Sequence, residues 1–487
     1  MSLPIPIDAP LGMIEPLLIV CGAGLLLLLL DLILPHGKKH LSAWFALGGL
    51  LLALARTIPQ WGLAERGYAG MVTLDNLSTL FNIIFLATSA VVVLLSIPFL
   101  RREEVEHCEY YSLLLFATTG MMVLASGLDL ITLFLGIEVL SISLYILAGY
   151  RRNNDASNEA AMKYFLLGAF ASGILLYGIS LVYGATATTN LERIGEAIAG
   201  TAGPVPEGLF YAGMALILVG LCFKVAAAPF HMWTPDVYQG APTPITAFFS
   251  AGPKAAAFVA FLRTFFIAFG PAQAEWDMVI SVIAVLTMTV GNVAAIAQTN
   301  VKRMLAYSSI AHSGYVLIGL VSGGVIGGTG AVFYLMAYVA MNLGAFAIVV
   351  LLEHKSGRGE ELKDYAGMGF KYPLIGALLS LFMLSLSGIP PTAGFVGKLY
   401  LFGGAVQSGH VWLAIFAVLN SAISVFYYLR LLVLMYMKES QEAFPPIRIP
   451  LALAFVLLVT AVGTLWPGLF PSVWFQAAQE SVRSLFS

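Results

Sequence analysis

Charge is what this sequence has least of. Of 487 residues, 24 are Lys or Arg and 26 are Asp or Glu, 10% in all, against about 25% in a soluble domain. A soluble chain of this length needs far more polar surface, so that class is excluded. The two signs nearly cancel, at a net charge of −2, which leaves no basic surface for a nucleic acid. Cysteine is also scarce. Cys21, Cys108 and Cys222 have no metal-type spacing and read as small apolar fillers. No Walker loop, Rossmann fingerprint or haem ligand pair is present, and no metal site is expected. A basic leader is missing too: residues 1–16 carry Asp8, Glu15 and four prolines before the first apolar run, so no cleavable signal peptide is expected.

What is present is apolar. Hydrophobic residues make up 59% of the chain and the mean hydropathy is +0.90. A membrane span needs about 20 mainly apolar residues. Runs of that kind fall near 11–34, 40–57, 75–99, 109–126, 128–150, 158–184, 208–240, 243–269, 276–298, 302–322, 327–353, 371–405, 409–437 and 449–469. The fold class is therefore an all-α polytopic membrane protein of about fourteen spans, numbered here in chain order. Loop charge supports the count. With the N-terminus outside, the inner loops hold 14 of the 24 basic residues: Lys38, Lys39, Arg101, Arg102, Arg151, Arg152, Lys302, Arg303, Lys355, Arg358, Lys363, Lys371, Lys438 and Arg448. The outer side holds Arg56, Arg66, Arg193, Arg263 and Arg483. That asymmetry is the positive-inside pattern.

A weak internal repeat lies under the spans. Ser143, Tyr145, Leu147 and Gly149 match Ser313, Tyr315, Leu317 and Gly319 at a shift of 170, and Tyr164 matches Tyr334. The first set lies in span 5 and the second in span 10, so the copies enter the membrane from opposite faces. That is an inverted repeat, a plan found in many secondary transporters. At the same shift Glu138 falls on Ser308 and Lys163 on Phe333, so the second copy has no matching glutamate.

Charges at membrane depth are costly and mark function. Four lie far from either end of their spans: Glu138 in span 5, Lys224 in span 7, Lys254 in span 8 and Lys398 in span 12. Lys163 and Arg430 lie close enough to an end to snorkel, and Lys163 is kept as a secondary candidate. Proline interrupts span 7 at Pro229 and span 12 at Pro390 and Pro391. A proline removes a backbone donor, and unpaired backbone survives in a membrane only when buried in protein or lining a wet cavity. Lys224 stands just before one break and Lys398 just after the other, which is how an ion path is marked. A simple packing kink explains one proline but not two such pairings. Burial disfavours a charged lysine and a nearby carboxylate favours it, so a switchable contact between Glu138 and Lys224 would load and release a proton. One charge crossing 100 mV costs about 2.3 kcal/mol. An ion pair at about 4 Å is worth about 4 kcal/mol at an effective dielectric near 20, so one such contact is adequate. His231 and His312 are either relays between the lysines or buried imidazoles bonded to backbone carbonyls. Trp233, Asp236 and Tyr238 read as packing and capping at the inner end of span 7.

The motifs FKVAAAPFHMWTPDVYQGAPTPITAFFSAGPK, KRMLAYSSIAHSGY and SLSGIPPTAGFVGKLYLF resemble the antiporter-like membrane subunits of complex I, the proton-pumping NADH:quinone oxidoreductase. GIEVLSISLYILAGY and EAAMKYFLLGAFASGILLYG resemble subunit N, called subunit 2 in mitochondria, more than its L and M paralogues. The resemblance covers essentially the whole chain. It implies fourteen helices, with inverted repeats at spans 4–8 and 9–13 and breaks in spans 7 and 12. The organisation it suggests is 1–108 for spans 1–3, 109–270 and 271–438 for the two repeats, and 439–487 for span 14 and the tail.

The resemblance also implies that Glu138 pairs with Lys224, that Lys254 connects, and that Lys398 faces the outer exit. It implies no cofactor in this subunit, with NADH, FMN, iron–sulfur clusters and quinone held by others. Its partners are an adjacent antiporter-like subunit and small membrane subunits. The implied location is a bacterial inner membrane, with both termini on the periplasmic side. Competing readings are a multisubunit cation/proton antiporter, a ferredoxin-dependent photosynthetic relative, a solute transporter working alone, and a membrane scaffold. A lone transporter needs a midplane pocket of hydrogen-bonding groups, and a scaffold gains nothing from central charges.

Overall fold

The computed structural model describes residues 10–33, 39–200, 205–353, 359–439 and 448–486. Asp8, Lys38, Lys355 and Arg358 lie outside them. Thirteen helices among the described residues are long and apolar enough to cross a membrane. The fourteenth crossing is span 12, made of two shorter helices, Pro373–Ser387 and Ala393–Gln407. A helix satisfies its own backbone hydrogen bonds, which is why long apolar runs adopt it where no water is available. Polar residues at the turns set where spans begin. Asp75, Asp129, Asn154 and Asn300 each accept a backbone N–H in the first turn of spans 3, 5, 6 and 10, the usual cap chemistry.

Between spans 2 and 3 the chain forms a short antiparallel hairpin, Glu65–Gly67 with Val72–Leu74. Three residues per strand are too few to leave an alternation signal, and the sequence reading missed it. The face carrying this hairpin is called the hairpin face below. The opposite face carries Arg101, Arg102, Arg151 and Arg303 and is called the basic face. There Glu353, 2% exposed, lies 3.7 Å from Arg102 and 3.8 Å from Arg151, which ties spans 3, 5 and 11 together. The final described helix, Pro471–Arg483, was also not anticipated. It packs on spans 3 and 11, and its end reaches the start of span 3, where Leu77 N donates to Ser484 Oγ.

The inverted repeat is written in backbone pairings. Asp129 bridges Asn190, and Asn300 bridges Glu361, the same pair displaced by 171 residues. Gly120 packs on the backbone of Gly136 and Leu140, and Gly291 on that of Tyr307 and Ala311, again displaced by 171. Towards the other ends of spans 5 and 10 the displacement becomes 170: Gly149 meets Ala161, and Gly319 meets Ala331. One residue is therefore lost between the two registers. At the position of Glu138 the structural counterpart is Ser309, not the Ser308 that a uniform shift of 170 gives.

Arg263 was counted among the outer-loop charges, yet it is 1% exposed at the end of Gly252–Arg263. It holds both carboxylate oxygens of Asp75 at 2.8 and 2.9 Å and donates to Ala125 O at 2.7 Å. One nitrogen, Nη2, reaches both oxygens, and pairing with a hydrogen-bonded partner is how a buried charge is tolerated.

Candidate functional site: a line of buried lysines

Span 7 consists of Glu207–Lys224, a non-helical turn, and Thr234–Gly240. Proline forbids a continuous ladder here, and the freed backbone groups find partners elsewhere. Ser313 Oγ donates to Val225 O at 2.6 Å, Ala228 N donates to Thr287 Oγ1 at 2.9 Å, and Trp233 Nε1 donates to Phe223 O at 3.2 Å. Thr287 and Ser313 belong to spans 9 and 10, so the second repeat stitches the break in the first. Span 12 closes its break differently. Gly388 ends the first helix at φ +86°, a conformation suited to glycine. A Cβ on it would also stand 2.9 Å from Lys398 Cδ. The lysine then takes the open carbonyls itself.

Each of the three central lysines rests on neutral oxygens. Lys398 Nζ donates to Leu386 O at 3.1 Å, Ser387 O at 2.9 Å and Ser421 Oγ at 3.0 Å, three acceptors for the three donors of an ammonium. It also lies over the Tyr315 ring at 5.0 Å. Lys254 Nζ donates to Ser309 O at 2.7 Å and to Ser309 Oγ. Lys254 opens the helix Gly252–Arg263 after a third break, at Ala251, inside span 8. The sequence reading ran span 8 unbroken. Its signal was Pro253, since proline favours a first helical turn and disfavours helix in the residue before it.

Lys224 closes the helix Glu207–Lys224, at the carbonyl-rich end where a cation is favoured. Its Nζ donates to Ser141 Oγ at 2.7 Å, while Ser141 itself donates to Ile137 O at 2.5 Å. Ser141 lies one turn beyond Glu138. The two charges expected to pair are thus neighbours linked through a hydroxyl, and they do not form an ion pair. Glu138 Oε1 is buried without a hydrogen-bond partner.

His312 lies in a cluster that borders the second and third lysines. Its Nδ1 shares a hydrogen bond of 2.5 Å with Tyr334 OH, and its Nε2 one of 3.0 Å with Tyr428 OH. Tyr428 OH shares another, 2.5 Å, with Ser308 Oγ, next in the chain to the serine that holds Lys254. On the other side His312 meets the ring of Tyr315 at 5.6 Å, and Lys398 lies over that ring. Both ring nitrogens of His312 thus take side-chain partners rather than backbone carbonyls. His231 lies in the turn of span 7, with Nδ1 buried and unpartnered.

Lys163 stands apart from this line. It pairs with Glu159 and Asp236, both at 2.6 Å, and Asp236 also takes Arg303 at 2.6 Å. Asp236 therefore anchors the second half of span 7 to spans 6 and 10 at the basic face. Arg430 donates to Ile296 O at 2.8 Å and to Gln298 O, closing the end of span 9. Among the described residues, no group of three or more His, Cys, Asp or Glu is placed to hold a metal ion.

This architecture, with its two inverted five-span halves, broken spans and buried lysines, defines the antiporter-like class of membrane subunit. Residues 127–424 match the family model described as NADH:quinone oxidoreductase/Mrp antiporter, TM. A protein of Trichlorobacter lovleyi named NADH-quinone oxidoreductase subunit N is 50% identical, over 97% of both chains. The chain belongs to the NADH-quinone oxidoreductase subunit N family. Among solved structures, a chain of respiratory complex I from Thermus thermophilus with bound aureothin is 36% identical. It matches with a TM-score of 0.80 over 95% of this chain and 98% of that one. A chain of the Mrp complex from Dietzia sp. matches with a TM-score of 0.86 over 98% of both at 22% identity, a likeness of fold alone.

Proposed function

We propose that this chain is the N-type membrane subunit of respiratory complex I and moves protons through Glu138, Lys224, Lys254 and Lys398. NADH:quinone electron transfer in other subunits drives the movement, and NADH, FMN, iron–sulfur clusters and quinone are held there. The observation that carries this reading is the bonding of the lysines. All three rest on hydroxyls and carbonyls, and none lies within ion-pair distance of a carboxylate among the described residues. A lysine in a buried ion pair is locked, because removing its charge strands the partner. A lysine on neutral acceptors keeps hydrogen bonds whether it is NH3+ or NH2, so it can lose and regain a proton without rebuilding its site.

The path runs from Glu138 and Lys224 to Lys254. It then follows Ser309, Ser308, Tyr428, His312 and Tyr315 to Lys398. Residues 109–270 and 271–438 act as its two halves, with 1–108 and 439–487 flanking them. The basic face lies on the cytoplasmic side of a bacterial plasma membrane, in line with its excess of lysine and arginine, and both termini are periplasmic. Adjacent membrane subunits are the partners. Beside Glu138, span 5 presents the exposed apolar residues Leu135, Val139, Ile142 and Ile146, which suits such a neighbour.

The test is redox-driven proton pumping in membrane vesicles carrying Lys224→Ala, with assembly of the complex checked separately. Loss of pumping and of coupled oxidation in an assembled complex is the expected result. Normal pumping would make the lysine structural. The Mrp-like fold keeps one rival open, a cation/proton antiporter. A sodium-dependent proton flux in vesicles without NADH would favour it.

A further inference from the structure

Tyr315 stands between His312 and Lys398, and its two ends are held differently. Lys398 Nζ lies over the ring face, 5.0 Å from the centroid. The three ammonium donors already have oxygen acceptors, so the ring adds an electrostatic contact and takes no hydrogen bond. An aromatic face attracts a cation within about 6 Å, most strongly where water is excluded. Tyr315 is buried. Phe402, one turn beyond Lys398 on the same helix, packs on its ring at 5.9 Å.

The hydroxyl end is fixed from spans 9 and 13. Asn292 Nδ2 donates to Tyr315 OH at 3.1 Å and to Asn420 O at 3.0 Å, and Asn292 Oδ1 accepts from Tyr427 OH at 3.0 Å. A backbone carbonyl can only accept, so Asn420 O settles which end of the amide faces Tyr315. The amide is buried and bonded at both ends. An uncharged amide passes no proton onward, so these bonds serve to hold the ring.

The first half is built otherwise. Asn292 follows Gly291, so its counterpart at 171 is Met121, which has no N–H to give. The match of Tyr315 at 170 is Tyr145, which meets Tyr164 and Phe165 edge-on. Lys224 lies instead beside the ring of its own neighbour, Phe223, at 5.8 Å. The anchored ring thus belongs to the half that lacks a counterpart of Glu138.

We propose that Tyr315 is a positioning residue for Lys398: its ring face, anchored by Asn292, steadies the ammonium form of that lysine. The inference rests on the proton path proposed above. Spans 10, 11 and 13 pack on the helix of Lys398, and the titratable groups of their shared cluster are His312, Tyr315, Tyr334, Tyr338, Tyr427 and Tyr428. None of these is a carboxylate. The first half of span 12 and span 14 also pack there and bring no titratable group. The helix Pro471–Arg483 touches it through Phe475, on Tyr400.

The test is the pH profile of redox-driven proton pumping in vesicles holding the assembled complex. Tyr315→Phe keeps the ring face and should still pump, and its profile is the reference. Mono-, di- and trifluorinated phenylalanines at position 315 keep the shape and weaken the face stepwise. A weaker face should let Lys398 lose its proton at lower pH. The alkaline limb should therefore move down with each fluorine, by about half a pH unit or more over the series. Asn292→Met, which installs the first-half residue, should move it the same way. A limb that stays in place across the fluorinated series would overturn the proposal. So would an unmoved limb in Asn292→Met, or loss of pumping in an assembled Tyr315→Phe complex. Lys398→Met in the same vesicles separates this inference from the path beneath it. That variant should not pump, and normal pumping there would overturn both.

Discussion

In the first five-span half, the lysine stands before the break, on a single serine, with a carboxylate one helical turn away and an apolar face open beside it. In the second half, the lysine stands after the break and fills three acceptors, two of them carbonyls freed by the break itself. The aromatic cluster around His312 is enclosed on every side. Where the first half has Glu138, the second has Ser309, and that serine serves Lys254. One backbone frame has thus been given two electrostatic characters. The first half keeps a carboxyl group beside an apolar face that a neighbour can cover. The second keeps only groups that exchange hydrogen bonds. On the proposed function, input and throughput are separated along the chain.

The sharpest way to break this contrast is to replace each break-side lysine with methionine. Both changes should abolish pumping. Lys398→Met should also lower the thermal stability of the subunit, because it leaves Leu386 O and Ser387 O unpaired, at about 1–3 kcal/mol for each buried group. Lys224→Met frees only a serine hydroxyl that keeps its bond to Ile137 O, so the melting temperature should barely move. Equal losses of stability would erase the difference between the two lysines.

Smaller effects are expected at the residues facing them. Glu138→Gln should slow pumping about tenfold, the equivalent of about 1.4 kcal/mol, in initial rates of redox-driven proton uptake. Ser309→Ala should slow it less, since Lys254 keeps the Ser309 carbonyl. The reverse order would place the controlling charge in the wrong half. Thr287→Val should leave Ala228 N unpaired and cost about 1–2 kcal/mol, visible as an earlier thermal transition while pumping persists. The smallest change is expected at Lys163. Its side chain is 41% exposed, and half-exposed ion pairs contribute little. Lys163→Ala should alter proton uptake by less than about threefold, and a total loss would extend the line to the basic face.

Much of this was legible in the sequence because a membrane penalises exceptions. Fourteen spans, the prolines at 229, 390 and 391 and the four central charges stand out against apolar runs. The acceptors do not. Ser141, Ser309 and Ser421 resemble the many serines and threonines that bond the carbonyl one turn back in their own helix, as Ser96 and Thr118 do. Backbone carbonyls such as Leu386 O have no sequence signature at all. Tyr428 sits within an apolar run and carries no signal of its own. The change of register between the repeats, from 171 to 170, hid the true counterpart of Glu138. Arg263 looked like a loop charge because its partner, Asp75, is 188 residues away.

The most direct test of the central claim is redox-driven proton uptake by vesicles carrying Lys254→Met, a change close in shape and lacking only the ionisable group. The account predicts an assembled complex in which pumping is lost, because the proposed path from the Lys224 end of the line to the His312 cluster runs through Lys254. Full pumping by an assembled Lys254→Met complex would contradict it.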